Sequence, residues 1–131
     1  MIFDTDVLIW FFLGDRNAKA LIESESGRAI SIVSLMELFQ GARSVSEIGV
    51  IRRFFPSAGF RIIAISEPIS HLAATLMEEY SMRAGLHVTD ALIAATARET
   101  GGTLVTGNVR HFRAIPQLEL KAFRPASTKR S

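Results

Sequence analysis

The stretch MIFDTDVLIWFFL, residues 1–13, joins a short apolar strand pattern, Met1–Thr5, directly to a helical pattern, Asp6–Leu13. Asp4 follows three apolar residues in a strand that we expect near the middle of a sheet. This position is unusual, because a buried carboxylate must be paired or bind a metal. Asp4 is therefore a candidate metal ligand, with a helix N-cap as the alternative. Asp6 stands directly before the apolar helix, so it fits the N-cap better, and it is a further candidate ligand.

A short strand followed by a helix recurs along the chain. The other short segments rich in β-branched residues are Ala29–Val33, Arg61–Ile65 and Thr103–Thr106, with Leu118–Phe123 as a weaker fifth. Helical spacing of apolar residues predicts helices over Ala18–Glu25, Ser34–Ala42, Ser46–Phe55, Pro68–Arg83 and Val88–Thr100. Strands that alternate with helices predict a parallel sheet of four to five strands, covered on both faces. Ligands bind such sheets at the carboxyl ends of the strands, where the strand order reverses.

Composition sets the class of protein. The 131 residues suit one domain, which we expect over residues 1–124, followed by a polar, basic and disordered tail over 125–131. The chain has no cysteine, which excludes disulfides, thiolate zinc sites and a cysteine nucleophile, and suits a reducing cytosol. The longest apolar run, Val7–Leu13, is too short to span a bilayer, which needs about 20 residues. It also lacks the features of a signal peptide, so we expect a cytoplasmic protein without a membrane segment.

Basic residues are concentrated toward the C-terminal end. The net charge is only +2, but the pI is about 9.5. From residue 110 onward a single acid, Glu119, stands among several lysines and arginines. Such an end can contact phosphate or an acidic partner. Arg110 and Arg113 flank an ordered-looking segment, so they are the candidates for phosphate contacts.

Two more carboxylates are candidates, one shortly after a predicted strand and one in the first turn of a predicted helix. Glu37 lies three residues after Ser34, so it fits a capping box with Ser34 as the N-cap, but its apolar neighbours favour a functional site. Asp90 is in the first turn of an alanine-rich helix, where the helix dipole is the alternative explanation. Because close packing beside a central strand would explain so many alanines, we favour a functional role for Asp90.

Together, Asp4, Glu37 and Asp90 predict a metal site. Each follows a strand or begins a helix, at the sheet edge where ligands bind. Carboxylate oxygens are the ligands that Mg²⁺ and Mn²⁺ prefer. Like charges brought together raise each other's pKa unless a cation neutralises them, so the cluster predicts a bound metal ion.

Four segments of the chain resemble the PIN-domain family and, within it, the VapC-type toxins of bacterial toxin–antitoxin pairs. They are Phe3–Ile9, Ser34–Leu38, Thr89–Ala95 and Leu104–Phe112. Each is weak as a single pattern, but their order and intervals make the match specific, and the resemblance extends from Met1 to Arg124.

The resemblance implies a three-layer α/β/α sandwich with a parallel sheet and an acidic pocket that holds Mg²⁺ or Mn²⁺. It implies metal-dependent cleavage of RNA by an endoribonuclease, control by a small antitoxin protein, and a homodimer. Asp4, Glu37 and Asp90 match the three most regular acids of the family motif.

The fourth segment departs from the family pattern. Many relatives carry Asp at the position of Asn108 or of His111, and neither residue here adds a negative charge. This departure favours a one-metal site, or a second ion held partly by substrate phosphate. Asn108 is still a candidate site residue, because its side-chain carbonyl oxygen can bind a ligand or position a water. Thr106 can orient a water or a ligand, and the alternative role for Thr106 is a helix cap.

The hypothetical mechanism follows from these assignments. A metal ion held by Asp4 and Asp90, with Glu37 direct or through water, activates a water for attack on the scissile phosphate. Asp6 or Glu37 accepts the proton of that water. Arg110, Arg113 and His111 are the candidate RNA contacts, and His111 is also a candidate general acid, with a structural role as its alternative.

Two other readings stay open. The same acidic site would serve a DNA nuclease or another phosphohydrolase, because no residue identifies a contact to the 2′-hydroxyl of RNA. Alternatively, the missing fourth acid indicates a non-catalytic module that only binds RNA or a protein. A nucleotide-binding domain is poorly supported, because no glycine-rich loop follows the first strand.

Overall fold

The structure is a computed structural model that describes residues 1–126. Its strands are β1 (Ile2–Phe3), β2 (Ala29–Ser31), β3 (Arg61–Ile63), β4 (Leu104–Thr106) and β5 (Leu120–Ala122). Its helices are α1 (Thr5–Phe12), α2 (Arg16–Ser24), α3 (Ile32–Gly41), α4 (Val45–Ser57), α5 (Glu67–Ala84), α6 (Val88–Thr100) and α7 (Val109–Phe112). All of the predicted strands are confirmed, but each is shorter than its apolar pattern.

The strands form one parallel sheet in the order β3-β2-β1-β4-β5. Because β1 lies at the centre, the chain first builds outward through β2 and β3 and later adds β4 and β5 on the other side. The strand order therefore reverses between β1 and β4. A crevice at the carboxyl ends of two such strands is the usual ligand site of parallel sheets, and Asp4 and Gly107 are the residues that directly follow these two strands.

Helices cover both faces of the sheet, which confirms the predicted three-layer arrangement. Side chains alternate between the faces, as strand geometry requires. Ile2 and Leu104 pack on one side with α5 and α6, whereas Phe3 and Val105 pack on the other side with α1, α2 and α4. Alanines of α6, several of them fully buried, let this helix lie close to the sheet.

The N-cap of α1 differs from the prediction. Asp4, not Asp6, is the N-cap, and its side chain accepts a hydrogen bond from the backbone N–H of Thr5 (2.8 Å). The reason is the length of β1, which ends at Phe3, so the helix begins two residues after the strand. Asp4 is therefore both a helix N-cap and a buried carboxylate, so the capping role does not exclude a role as a metal ligand.

Two other predicted helix ends were wrong. Ser31, not Ser34, is the N-cap of α3, because β2 ends at Ser31 and its hydroxyl accepts the N–H of Val33 (3.1 Å). Helix α4 includes Pro56 and ends at Ser57. Proline removes one backbone donor but has a φ that suits a helix, so the final turn continues past it.

The C-terminal part of the described chain is anchored to α2. The backbone N–H of Ala126 donates to Asp15 Oδ1 (2.9 Å), and the side chain of Asn17 donates to the carbonyl of Arg124 (3.1 Å). The rest of the predicted tail, residues 127–131, lies outside the described residues. Within residues 1–126, no helix combines the length and the apolar character that crossing a membrane requires.

Candidate active site

Asp4 is the centre of the acidic site. Its side chain is 5% exposed. Besides the N–H of Thr5, its carboxylate accepts a hydrogen bond from the hydroxyl of Thr106 at the end of β4 (2.7 Å to Oδ2). Both carboxylate oxygens are therefore held by donors, one from the first residue of α1 and one from the last residue of β4. Thr106 in turn accepts the backbone N–H of Asn108 (2.9 Å), so it both orients Asp4 and closes the turn after β4.

The surroundings of Asp4 oppose its ionisation. Its pKa is raised from 3.8 to about 7, chiefly by burial and next by the negative charge of Asp6. Asp90 raises the pKa in the same direction, whereas the hydrogen bonds from Thr106 and Thr5 lower it. A buried carboxylate with two acidic neighbours is the electrostatic environment that a cation would relieve.

Glu37 is linked to Asp4 through Thr5. The hydroxyl of Thr5 donates to Glu37 Oε1 (2.6 Å), and it lies 3.0 Å from Ser34 Oγ. The capping box with Ser34, which was the alternative role for Glu37, is therefore replaced by a contact with α1. Thr5 and the buried Ser34 position this acid, and the sequence analysis missed both roles.

Asp6 is positioned from the other side of the crevice. Its Oδ2 accepts the backbone N–H of Gly107 (2.9 Å), just after β4. A Cβ at position 107 would lie 2.5 Å from the same oxygen. Only glycine allows this close approach, so the residue after β4 holds Asp6 against the carboxyl ends of β1 and β4.

Asp90 approaches the site from the first turn of α6. The backbone N–H of His87 reaches its Oδ2 at a long 3.4 Å, and His111 Nδ1 on α7 lies 3.6 Å from the same oxygen. The side chain of Asp90 is 16% exposed and that of His111 is 43% exposed. The rings of His87 and His111 are 6.5 Å apart, a proximity that the sequence did not indicate. His111 therefore borders the acidic site beside Asp90.

The other predicted site residues lie on α7 or at its ends. Asn108 is exposed and is the N-cap of α7, a short helix that the sequence analysis did not predict. Arg110 is exposed on α7, and Arg113 is exposed at its C-terminal end. Phe112 faces inward from the same helix and is fully buried, which anchors α7 so that its polar residues face outward.

The residues fit a hydrated divalent cation. Across residues 1–126, no three carboxylate or imidazole groups already converge on one point as a complete ligand set. Mg²⁺ does not require such a set, because it usually keeps several waters and is held by only one or two carboxylates. Asp4 and Asp90 carry oxygen atoms of the kind that this ion prefers as ligands. The raised pKa of Asp4 reflects burial first and negative neighbours second, and both are costs of ionisation that a cation would offset.

Two clefts border the acidic residues. The first, of about 710 Å³, includes Glu37 and lies between α1, α3 and α4. The second, of about 640 Å³, includes Asp6 and Trp10 of α1 together with the turn and helix after β4. Both volumes are in the range of ligand sites, about 300–1,000 Å³.

The sequence and the fold have known relatives. The PIN domain family matches residues 1–118. Ribonuclease VapC19 of Mycobacterium tuberculosis is 31% identical over 121 residues, which cover 88% of this chain and 94% of that protein. Ribonuclease VapC10 of the same species is 37% identical over 122 residues, which cover 88% of each.

A solved structure agrees with this assignment. A chain of a toxin–antitoxin complex from Klebsiella pneumoniae superimposes with a TM-score of 0.74 at 36% sequence identity. The match covers 89% of this chain and 93% of that one.

Proposed function

Because this chain belongs to the PIN-domain family and, within it, to the VapC-type ribonucleases, we propose that it is a Mg²⁺-dependent endoribonuclease and the toxin of a toxin–antitoxin pair. Mn²⁺ is the alternative ion. The observation that carries the proposal is the environment of Asp4. This carboxylate is buried at the point where the strand order reverses, beside Asp6 and Asp90 and linked to Glu37 through Thr5.

Each polar residue has a role in the proposed reaction. Asp4 and Asp90 hold the ion, with Glu37 direct or through a water. When bound, the ion lowers the pKa of a water and stabilises negative charge at the attacked phosphate. Thr106 and Thr5 keep Asp4 oriented, and Glu37 or Asp6 accepts the proton of the attacking water.

Positively charged residues position the RNA. Arg110 on α7 and Arg113 at its C-terminal end are exposed, and in this proposal they contact phosphates that flank the scissile bond. Such contacts fix the register of a nucleic acid without reading its sequence. Asn108 orients a water or a phosphate oxygen through its side-chain amide.

The partner in this proposal is a small antitoxin protein. The Klebsiella relative was solved as a toxin–antitoxin complex, and a chain with this fold and this acidic site fits the same kind of assembly. The proposal also includes a homodimer and a cytoplasmic location, where RNA substrates are present.

Purified protein, freed of any bound partner, tests the nuclease activity. We expect it to cleave a structured RNA with Mg²⁺ or Mn²⁺, to stop on addition of EDTA, and to leave a DNA of matched sequence intact. Cleavage of DNA at the same rate would favour the wider nuclease reading. If several RNAs stay intact and calorimetry detects no metal binding, the protein is a non-catalytic binding module instead.

The identity of residue 111 is expected to set the affinity for the ion. His111→Asp places a carboxylate beside Asp90, so we expect Mg²⁺ to bind on the order of tenfold more tightly, because ligand charge count sets the affinity of oxygen sites. Isothermal titration calorimetry without RNA measures this change. His71→Asp is the matched control, since His71 lies beside an exposed acid, Glu67, on α5. Equal Mg²⁺ affinities for His111→Asp and the wild type would place residue 111 outside the ion's reach.

A further inference from the structure

The two clefts beside the acidic site differ in charge. The charged residues of the first cleft are Glu37, Glu47 and Arg43. Those of the second cleft are Arg110, Arg124 and Asp6, with His111 beside them. Acids outnumber arginines in the first cleft, and arginines outnumber acids in the second. A nucleic-acid strand that extends from the acidic site is therefore bound more favourably in the second cleft than in the first.

The second cleft also contains an aromatic side chain next to the acidic site. Trp10 is half-buried on α1 and lines this cleft. It lies four residues after Asp6, so the two side chains occupy the same face of the helix. An indole is thus held one helical turn from a carboxylate of the candidate active site.

The combination of an aromatic face and arginines is the usual means of binding single-stranded nucleic acid. Bases stack on the aromatic ring, and the arginines bind the phosphates on either side. Arg110 comes from α7 and Arg124 from the segment after β5, so two parts of the chain supply the positive charges. Both arginines are exposed, so they are accessible to phosphate groups.

We propose that the second cleft is a nucleotide subsite for single-stranded RNA. An unpaired base next to the scissile bond stacks on Trp10, and Arg110 and Arg124 bind the adjoining phosphates. This inference rests on the proposed ribonuclease function and adds the residues of this chain that hold one nucleotide beside the acidic site, with its base turned out toward α1. Stacking is tolerant of base identity, so the subsite selects for single-strandedness.

Trp10 is the only tryptophan of the chain, so its fluorescence reports on this cleft alone. The experiment titrates metal-free, full-length protein in EDTA with a short, unstructured RNA oligonucleotide of mixed sequence. We expect saturable quenching of the Trp10 emission. A blunt-ended duplex of the same composition, which has no unpaired bases, is expected to quench much less.

Affinities of variants, measured by the anisotropy of labelled RNA, test the contribution of each group. Trp10→Leu is expected to weaken binding about 5- to 150-fold, the usual range for loss of one stacked base. Trp10→Phe keeps a ring and is expected to lose less. Arg110→Ala and Arg124→Ala are each expected to reduce the slope of log K against log salt by about 0.7, the value for one phosphate contact on a single strand. Arg83→Ala, on α5 beside Tyr80, lines neither cleft and is the control.

The outcomes separate this inference from the proposed function. Thermal unfolding of every variant shows first that Trp10→Leu and Trp10→Phe are folded. RNA that binds without changing the Trp10 emission, or that binds folded Trp10→Leu as tightly as the wild type, overturns the subsite; so does the absence of RNA binding. Cleavage with Mg²⁺ is scored separately. If Trp10 is quenched by RNA but no cleavage occurs, the subsite stands and the nuclease activity fails.

Discussion

Asp90→Asn is expected to lower the rate of Mg²⁺-dependent RNA cleavage by more than about 100-fold. The outer-shell partners of metal ligands typically contribute 10- to 100-fold, and loss of a direct ligand exceeds that range. Asparagine keeps the size of the side chain but removes the negative charge that attracts the ion. Single-turnover cleavage at saturating Mg²⁺ measures the effect.

The fold of this variant is expected to be unchanged. The hydrogen bond from His87 to Asp90 is long, at 3.4 Å, so its loss contributes little to stability. Glu99→Gln is the matched control, because Glu99 is an exposed acid at the other end of the same helix. Full activity of a well-purified Asp90→Asn protein would assign the cleavage to a different site or to a contaminant.

Local patterns in the sequence predicted the architecture well. Short runs such as Ala29–Val33 and Arg61–Ile65 predicted strands because β-branched residues fill buried positions of a parallel sheet. The alternation of these runs with amphipathic helices then predicted the layers. Helix α6 was predicted with its observed limits, Val88–Thr100, since Gly101 ends it in a left-handed conformation (φ 69°).

The exact ends of strands were not accessible in the same way. The β-branched pattern of Ala29–Val33 continues beyond the hydrogen-bonded part of β2, which ends at Ser31. Since either Ser31 or Ser34 can cap a helix, the sequence alone could not choose between them. The same ambiguity placed the cap of α1 on Asp6 when Asp4 provides it.

The side-chain contacts of the site were also beyond prediction from local patterns. Thr5 contacts Glu37 across 32 positions of sequence, and Gly107 contacts Asp6 across 101. These pairs meet only because β1 lies between β2 and β4 in the sheet. Residue types and local positions predicted that acids gather at one sheet edge, but strand order determines which polar residue holds each acid.

The role of His111 becomes clear only when the sequence pattern and the fold are considered together. The sequence showed that the fourth segment lacks an acid, and the fold places this histidine 3.6 Å from Asp90. The site therefore carries less negative charge on the α7 side than on the α1 side, where Asp4 and Asp6 lie. This imbalance favours the proposal of a single ion near Asp4.

The stability of the metal-free protein is expected to depend on pH through Asp4. Its pKa is about 7 in the folded protein and 3.8 without the surrounding structure. Below pH 3.8 the carboxyl is protonated in both states, so it imposes no penalty on folding. Above pH 7 it is ionised in both states, and the folded state bears the full cost. The free energy of unfolding therefore falls as the pH rises between these values.

Asp4→Asn removes this dependence. At pH 8 in EDTA we expect the variant to be more stable than the wild type by at most about 4 kcal/mol, the equivalent of the pKa difference at 1.36 kcal/mol per unit. Asparagine still accepts the N–H of Thr5, and the hydroxyl of Thr106 can turn to accept its amide. Urea unfolding of both proteins from pH 4 to pH 8 measures the difference, and titrating groups that do not interact with Asp4 cancel in the comparison.

Asp15, a second buried aspartate that caps a helix, is the matched control, and its substitution is expected to change the stability in the opposite direction. Asp15 is 6% exposed and accepts the backbone N–H groups of Ala18 and Ala126 on its two oxygens. An amide nitrogen cannot accept either donor, so Asp15→Asn is expected to destabilise the protein by about 1 kcal/mol, the usual cost of a lost cap.

Bound Mg²⁺ is expected to reverse the effect of ionised Asp4 on the free energy of unfolding. A cation that binds only the folded state stabilises it by mass action, and it binds most tightly where Asp4 is ionised. Saturating Mg²⁺ should therefore raise the stability of the wild type more at pH 8 than at pH 5, and that of Asp4→Asn by little at either pH. The contrary result would be parallel plots of unfolding free energy against pH for the wild type and Asp4→Asn, both with and without Mg²⁺. Parallel plots would show that the folded structure does not raise the pKa of Asp4 and that Asp4 is not a ligand of the ion.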